Sequence, residues 1–348
     1  LTNIVWAPLS EGLDSVSLSA NWMWPCKNPG EDARLYKAVE ACSRFACELG
    51  INIPTGKDSL SMTQKYGDEK VYSPGTVIIS AGAEVSDVKK VVSPVLVRDA
   101  RTAVYYIDFS FDALSLGGSA FAQSLGKVGC QAPTVQDSEY FASAFNAIQQ
   151  LISEGLILAG HDISAGGMIT ALLEMNFANT EGGLEVKLDK LPEKDLIKIL
   201  FSENPGVLIQ VKDRKAVEKI LEEAGVGYAV VGHPCSERHI LVSKDGAEYL
   251  FGIDHLRDVW FSSSLLDRKQ SGEAQAKARF LNYKEQPLHY HFGKSFTGKM
   301  EQYGISADRR KPSGIKAAII REKGVNGDRE MAYSLYLAGF DVKDVHMT

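Results

Sequence analysis

The chain has 348 residues, of which 45% are hydrophobic and 24% are charged, the composition of an ordinary globular protein with two or three domains. Its formal net charge of −6 excludes a protein that binds nucleic-acid phosphates through a general excess of positive charge. Five scattered cysteines without a CxxC pair give no zinc signature and are typical of the reducing cytoplasm, and no apolar run reaches the length of a membrane span.

Residues 1–92 alternate between helix-like and strand-like segments. Residues 32–49 carry apolar side chains at helical spacing and are followed by Gly50, which predicts a helix with a glycine after its end. A short strand is predicted at 51–53 and a longer one at 76–85.

Residues 93–265 continue the alternation of strands and helices, which indicates layered α/β structure. Strands are predicted at 103–108, 156–159, 206–211, 228–233 and 239–243. Helices are predicted from the Gly117-Gly118 pair through 125, and at 138–153, 167–178 and 214–224.

Residues 266–312 are polar and mixed, and we interpret them as a connector with some helix. The remaining residues, 313–348, predict a strand at 315–320, a helix at 329–338 and a second strand at 341–347. A βαβ unit of this kind cannot bury both of its faces alone. Because Leu1 is also not an initiator methionine, we expect the sequence to be a piece of a longer protein.

The segment PTGKDSLSM, residues 54–62, concentrates a glycine, a cation, a carboxylate and hydroxyl groups after a predicted strand. A ligand with phosphate groups and Mg²⁺ requires such groups, but the spacing is not that of a Walker A loop. The competing interpretation is a plain polar turn.

The segment HDISAGG, residues 161–167, joins a predicted buried strand to a predicted helix. Strand ends and helix N-termini attract anions, so Asp162 is a candidate Mg²⁺ ligand and Ser164 a candidate phosphate contact. Alternatively, one of these two side chains caps the helix and the glycines permit a tight turn.

Two further segments favour structural interpretations. LGGSA, residues 116–120, permits close backbone approach, and helix–sheet packing is the preferred explanation. Trp22 and Trp24, in LSANWMWP, are interpreted as core residues.

The motifs LTNI, LSANWMWP with NPGEDARLY, PTGKDSLSM, LGGSA, HDISAGGM and REKGVNGDREMA occur in this order along the chain. This order resembles the long, single-chain form of phosphoribosylformylglycinamidine synthase, also called formylglycinamidine ribonucleotide synthase or formylglycinamide ribonucleotide amidotransferase. The resemblance covers nearly the whole chain and is weakest in the connector.

The resemblance implies an α/β (α+β) fold built from aminoimidazole ribonucleotide synthetase-like halves. Residues 1–92 would be part of an N-type half, 93–265 a C-type half, 266–312 a connector, and 313–348 the flavodoxin-like start of a class I glutaminase domain. A first synthetase half would precede this chain, and the glutaminase Cys, His and Glu would follow it.

The resemblance also implies the reaction, a carbon–nitrogen ligation in purine biosynthesis. ATP phosphorylates the amide oxygen of formylglycinamide ribonucleotide, and ammonia released from glutamine displaces the phosphate to give the amidine. The implied cofactors are ATP or ADP and Mg²⁺, and the implied partners are these substrates and the rest of a longer chain. Inactivity of this piece alone and self-association are further expectations.

Site residues follow from the resemblance position by position. Gly56, Lys57, Asp58 and Ser59 would form a loop at the active site, with Gly56 near ATP and Ser59 near the substrate. Asn3 and Asp162 would bind Mg²⁺ at a second, structural nucleotide site that Ser164 also contacts. Ala165 departs from the aspartate common in the family, which argues against more than one metal in that loop.

The sequence leaves two alternative functions open. One is another ATP-using member of the same superfamily, such as aminoimidazole ribonucleotide synthetase or selenophosphate synthetase. The other is a structural piece that only binds a nucleotide.

Overall fold

The computed structural model describes residues 1–262, 272–282, 291–305, 311–322 and 325–347. Parts of the predicted connector, 266–271, 283–290 and 306–310, therefore lie outside the described residues, as do Lys323, Gly324 and Thr348. No helix in the described ranges is long and apolar enough to cross a membrane.

The helices of the described ranges are numbered in chain order. They are α1 (Glu31–Glu48), α2 (Ala120–Ser124), α3 (Ser138–Ser153), α4 (Gly167–Phe177), α5 (Leu196–Phe201), α6 (Arg214–Glu223), α7 (Ile253–Phe261), α8 (Glu273–Leu281) and α9 (Asp328–Leu337).

The strands are numbered in the same way. They are β1 (Ser17–Met23), β2 (Asn52–Ser59), β3 (Thr63–Tyr66), β4 (Glu69–Tyr72), β5 (Thr76–Gly82), β6 (Ala103–Asp108), β7 (Ile157–Asp162), β8 (Gly183–Lys187), β9 (Gly206–Val211), β10 (Tyr228–Cys235), β11 (His239–Lys244), β12 (Ala247–Gly252), β13 (Lys316–Arg321) and β14 (Asp341–His346).

The first sheet has three strands in the order β2-β1-β5, so β2 lies at an edge. Strand β1 alternates between buried and half-buried residues, and its buried face packs against α1 through Trp22 and Trp24. The prediction that these tryptophans are core residues is confirmed, since their exposed fractions are 9% and 6%. The other face of this sheet, called the open face below, carries more exposed side chains such as Ile78.

The second sheet has seven strands in the order β12-β11-β8-β10-β6-β9-β7. Helices α3 and α6 cover one face, and α4, α5 and α7 contribute buried residues to the other. The core under α3 also contains Val5, Leu13, Val16 and Ile51 from the first 51 residues. The two predicted synthetase zones therefore share one hydrophobic core, which fixes the first sheet against the second.

The third sheet consists of β13 and β14, which pair in parallel and are connected through α9. The βαβ start predicted for the last residues is thus present. At the end of β13, the Arg321 guanidinium lies 2.8 Å from Asp344 of β14 and 3.6 Å from Asp328 at the start of α9.

Strongly patterned segments agree closely with their predictions. The strands at 103–108 and 206–211 and the helix at 138–153 have the predicted bounds, and Gly50 has the expected positive φ of 71° after α1. The elements β1, β3, β4, β8, β12, α5 and α7 were not predicted. All five cysteines are free.

Candidate functional site

Residues 56–59, expected to form a loop, instead form the last four residues of strand β2. They pair in parallel with β1, from Ala20 opposite Gly56 to Met23 opposite Ser59. The expectation of a loop was wrong because seven residues of β1 offer a complete set of backbone partners. Polar side chains are tolerated in β2 because an edge strand is open to solvent on its outer side.

Gly56 is required by packing against the neighbouring strand. A Cβ atom at this position would lie 2.1 Å from the carbonyl oxygen of Ala20. No side chain fits at that distance unless the strands separate. The contact explains the glycine without any ligand.

Thr55, Lys57 and Ser59 project to the open face, since they pair with the half-buried residues of β1 rather than with its buried ones. The Lys57 ammonium donates a hydrogen bond to the Ser59 hydroxyl. Asp58 is exposed at the strand edge. The motif therefore presents a cation and a hydroxyl together on an accessible surface.

Asp162 is the last residue of β7, at the edge of the seven-stranded sheet, and is only 8% exposed. The Trp6 indole N–H points at its Oδ1 atom at 3.5 Å. Asn3 lies in the same N-terminal turn but is exposed.

The turn after Asp162 is held by a carboxylate that the sequence interpretation missed. Oε1 of Glu203 accepts hydrogen bonds from the backbone N–H of Gly166 at 2.9 Å and of Ala120 at 2.7 Å. Glu203 thus joins two of the sequence motifs, HDISAGG and LGGSA, through one backbone N–H group of each. The Gly166 N–H is therefore already bonded, whereas Ser164 is exposed.

Gly167 is confined by the same turn. Its φ is +74°, and a Cβ atom would lie 2.6 Å from the carbonyl oxygen of Leu200. Gly117, in LGGSA, is equally tight, with a Cβ position 2.2 Å from the carbonyl oxygen of Gln131. These contacts support the packing interpretation of the glycines in both motifs.

His161 forms a small polar cluster beside this turn. Its Nε2 atom lies 3.2 Å from Oε2 of Glu174. Oε1 of Glu174 accepts a hydrogen bond from the Trp260 indole N–H at 2.9 Å. Burial lowers the pKa of His161, but Glu174 and the carbonyl of Asp162 raise it more, so the net shift is upward. These partners explain His161 as a structural residue.

The donor set at Asp162 fits a magnesium ion only in part. One carboxylate and one exposed amide, Asn3, are available, and Mg²⁺ is commonly held by one or two carboxylates together with waters and substrate phosphates. Within the described ranges, no group of three or more His, Cys, Asp or Glu residues is arranged for a metal ion. Any ion here would depend on phosphate oxygens of a ligand.

The predicted site residues fall into two separate regions of the fold. Gly56, Lys57, Asp58 and Ser59 lie on β2, whereas Asp162 and Ser164 lie at the end of β7. A third feature, a cavity of about 660 Å³ between β6 and the segment 190–194, contains none of the predicted site residues. No short motif indicated Glu203, Glu174 or Trp6, because their roles depend on contacts between distant segments.

Three family models match the chain in order. Residues 1–84 match the FGAR-AT PurM N-like domain, residues 109–243 the C-terminal domain of AIR synthase related proteins, and residues 314–348 a CobB/CobQ-like glutamine amidotransferase domain.

Three solved structures share the fold. Thermotoga maritima PurLQS superposes with a TM-score of 0.54 at 16% identity, over 74% of this chain and 40% of that one. T. maritima PurL complexed with FGAR gives a TM-score of 0.52 at 17% identity, over 74% and 44%. PurL complexed with ATP gives 0.50 at 15% identity, over 74% and 40%.

Curated relatives are similar along the whole chain. A probable phosphoribosylformylglycinamidine synthase of Caenorhabditis elegans is 36% identical over 100% of this chain and 27% of that protein. The human synthase is 37% identical over 100% and 26%. A probable chloroplastic/mitochondrial synthase of Arabidopsis thaliana is 35% identical over 99% and 24%. The chain spans about a quarter of the length of these relatives, and it belongs to the phosphoribosylformylglycinamidine synthase family.

Proposed function

We propose that this chain is a part of an ATP- and glutamine-dependent ligase that converts formylglycinamide ribonucleotide to its amidine. The observation that carries the proposal is similarity over the full chain to synthases of that name, at 35–37% identity. The three family models in order supply both a synthetase portion and the start of a glutaminase.

In this proposal Lys57 and Ser59, on the open face, contribute to the synthetase reaction. The substrate amide is a poor electrophile until ATP phosphorylates its oxygen, and ammonia then displaces phosphate. Lys57 would bind a phosphate through its ammonium, which balances negative charge where it accumulates. Ser59 would donate its hydroxyl to the substrate, and Gly56 would keep β2 packed against β1.

A second nucleotide would bind at the end of β7. Asp162 and Asn3 would hold a magnesium ion, which offsets negative charge on the nucleotide phosphates, and Ser164 would donate a hydrogen bond to them. Asp162 is buried, and Ser164 is exposed. Because the donor set is one buried carboxylate and one exposed amide, we expect this site to bind ADP weakly in the isolated 348-residue chain.

The domain boundaries 1–92, 93–265, 266–312 and 313–348 remain part of the proposal. A cytoplasmic location is also proposed from the reduced cysteines, although one relative is named chloroplastic/mitochondrial.

The test is the stoichiometry of the full-length protein that contains this chain. We expect ADP to form only when formylglycinamide ribonucleotide is present, with one glutamate released per ADP. ADP formation with an amidine substrate and no nitrogen donor would instead support an aminoimidazole ribonucleotide synthetase. Nucleotide binding without any turnover would support the structural alternative.

A calorimetric titration tests the second site. Weak binding of ADP with Mg²⁺ to the isolated chain should disappear in Asp162→Asn and persist in Asp58→Asn. Sub-micromolar affinity in the wild type, or equal binding by Asp162→Asn, would contradict this assignment.

A further inference from the structure

One side chain of β2 contacts the glutaminase-like segment. The Thr55 hydroxyl donates a hydrogen bond to Oδ1 of Asn326 at 2.8 Å, across 271 positions of sequence. The contact lies at a cleft of about 480 Å³ whose walls are polar residues of β1 and β2 on one side and residues 325–330 with Tyr333 on the other. The two most distinctive motifs of the sequence, PTGKDSLSM and REKGVNGDREMA, thus meet here.

Thr55 lies on the same strand as the residues proposed to act in the reaction. Thr55, Lys57 and Ser59 alternate along β2 and share the open face, and Lys57 is hydrogen-bonded to Ser59. Since β2 is an edge strand, β1 holds it on one side only. The contact at Thr55 therefore joins the strand to the glutaminase-like segment from the open face.

Asn326 belongs to a turn that is itself fixed. It precedes Gly327, whose φ of 79° begins helix α9. The first residue of that helix, Asp328, is paired with Arg321 at the end of β13. A displacement of the third sheet and α9 would therefore move Asn326 with them.

We propose that the Thr55–Asn326 hydrogen bond is a positioning contact that holds the glutaminase-like segment against β2. The inference rests on the proposed function, because it links ammonia supply from glutamine to the strand that carries Lys57 and Ser59. Neither residue touches substrate in this account. Their effect should appear when nitrogen comes from glutamine and be absent when free ammonia is supplied.

The experiment uses the full-length protein and measures kcat/KM with glutamine and, separately, with ammonium chloride. Thr55→Val should lower the glutamine-dependent value about 3- to 10-fold, the usual worth of one hydrogen bond, and leave the ammonium-dependent value within about 2-fold. Asn326→Leu should have the same effect. The double variant should lose no more than either single variant, because both remove one interaction.

Conservative and matched variants separate position from stability. Thr55→Ser keeps the hydroxyl, and Asn326→Asp keeps the accepting oxygen, so both should retain most glutamine-dependent activity. Thr76→Val, at the opposite edge of the same sheet, removes a hydroxyl bonded to the carbonyl of Pro74 and should leave both activities unchanged.

Equal losses with glutamine and with ammonium chloride would overturn the inference, since Thr55 would then act within the synthetase alone. Full glutamine-dependent activity in Thr55→Val and Asn326→Leu would also overturn it. A wild-type protein that forms no amidine from formylglycinamide ribonucleotide with either nitrogen source would refute the proposed function itself, which distinguishes the two failures.

Discussion

The two candidate regions, the β2 motif (56–59) and the β7–α4 turn (161–167), differ in what satisfies their polar groups. In the β7–α4 turn, the protein supplies the partners itself: Glu203 binds the backbone N–H of Gly166, and Glu174 binds His161. In the β2 motif, Lys57 has Ser59 beside it on an open surface. The two motifs look alike in sequence, because both combine glycine with a carboxylate. They differ in structure, because the charged groups of the β2 motif are accessible and those of the β7–α4 turn are not.

The largest effect on folding should come from Gly167→Ala in the β7–α4 turn. The new Cβ would meet backbone atoms of Leu200 and Phe201 at 2.6–2.7 Å while φ stays positive. We expect a loss of about 3 kcal/mol in the free energy of unfolding, measured by urea denaturation. Gly118→Ala is the control: its φ is +75° but nothing lies within 4 Å, so about 1 kcal/mol is expected. Equal losses would show that the turn is less confined than described.

Glu203→Ala should be the next most destabilising change. It leaves two backbone N–H groups, of Ala120 and Gly166, without their acceptor. A loss of about 2 kcal/mol is expected, again from urea denaturation. Glu203→Gln keeps an accepting oxygen and should cost less than half as much. If both variants match the wild type, water replaces this carboxylate and the turn does not depend on it.

A smaller effect should appear in the pH dependence of stability. The pKa of His161 is raised in the folded protein, so protonation of its ring stabilises the fold. This contribution is present below about pH 6.5, the ordinary value, and is lost as the pH rises through the raised pKa. Glu174→Gln should flatten the decline in unfolding free energy over that interval. An unchanged pH profile in this variant would exclude Glu174 as the cause.

The smallest effects on stability should come from the β2 motif. Lys57→Met and Asp58→Asn alter exposed side chains at a strand edge, so changes within about 0.5 kcal/mol are expected. Thermal unfolding of the isolated chain measures them. A loss above 1 kcal/mol in either variant would remove the contrast between the two regions.

Sequence patterns predicted α3, β6 and β9 with the bounds they have, because their apolar periodicity and their capping or glycine residues agree. They did not predict that PTGKDS is a strand, since pairing with β1 overrides its weak local preference. They also missed Glu203, whose two acceptor contacts span 83 and 37 positions of sequence. Local sequence patterns predict the helices and strands. Whether a motif forms a ligand site or only stabilises the fold depends on contacts between these elements.

The most direct test of the account is the turnover of the full-length protein with Lys57→Met, measured with saturating ATP and ammonium chloride. If the accessible Lys57 ammonium binds a phosphate in the reaction, its loss should lower kcat about 10²-fold and leave the thermal midpoint unchanged. Retention of full turnover by this variant would contradict the claim that the open face of β2 takes part in the reaction.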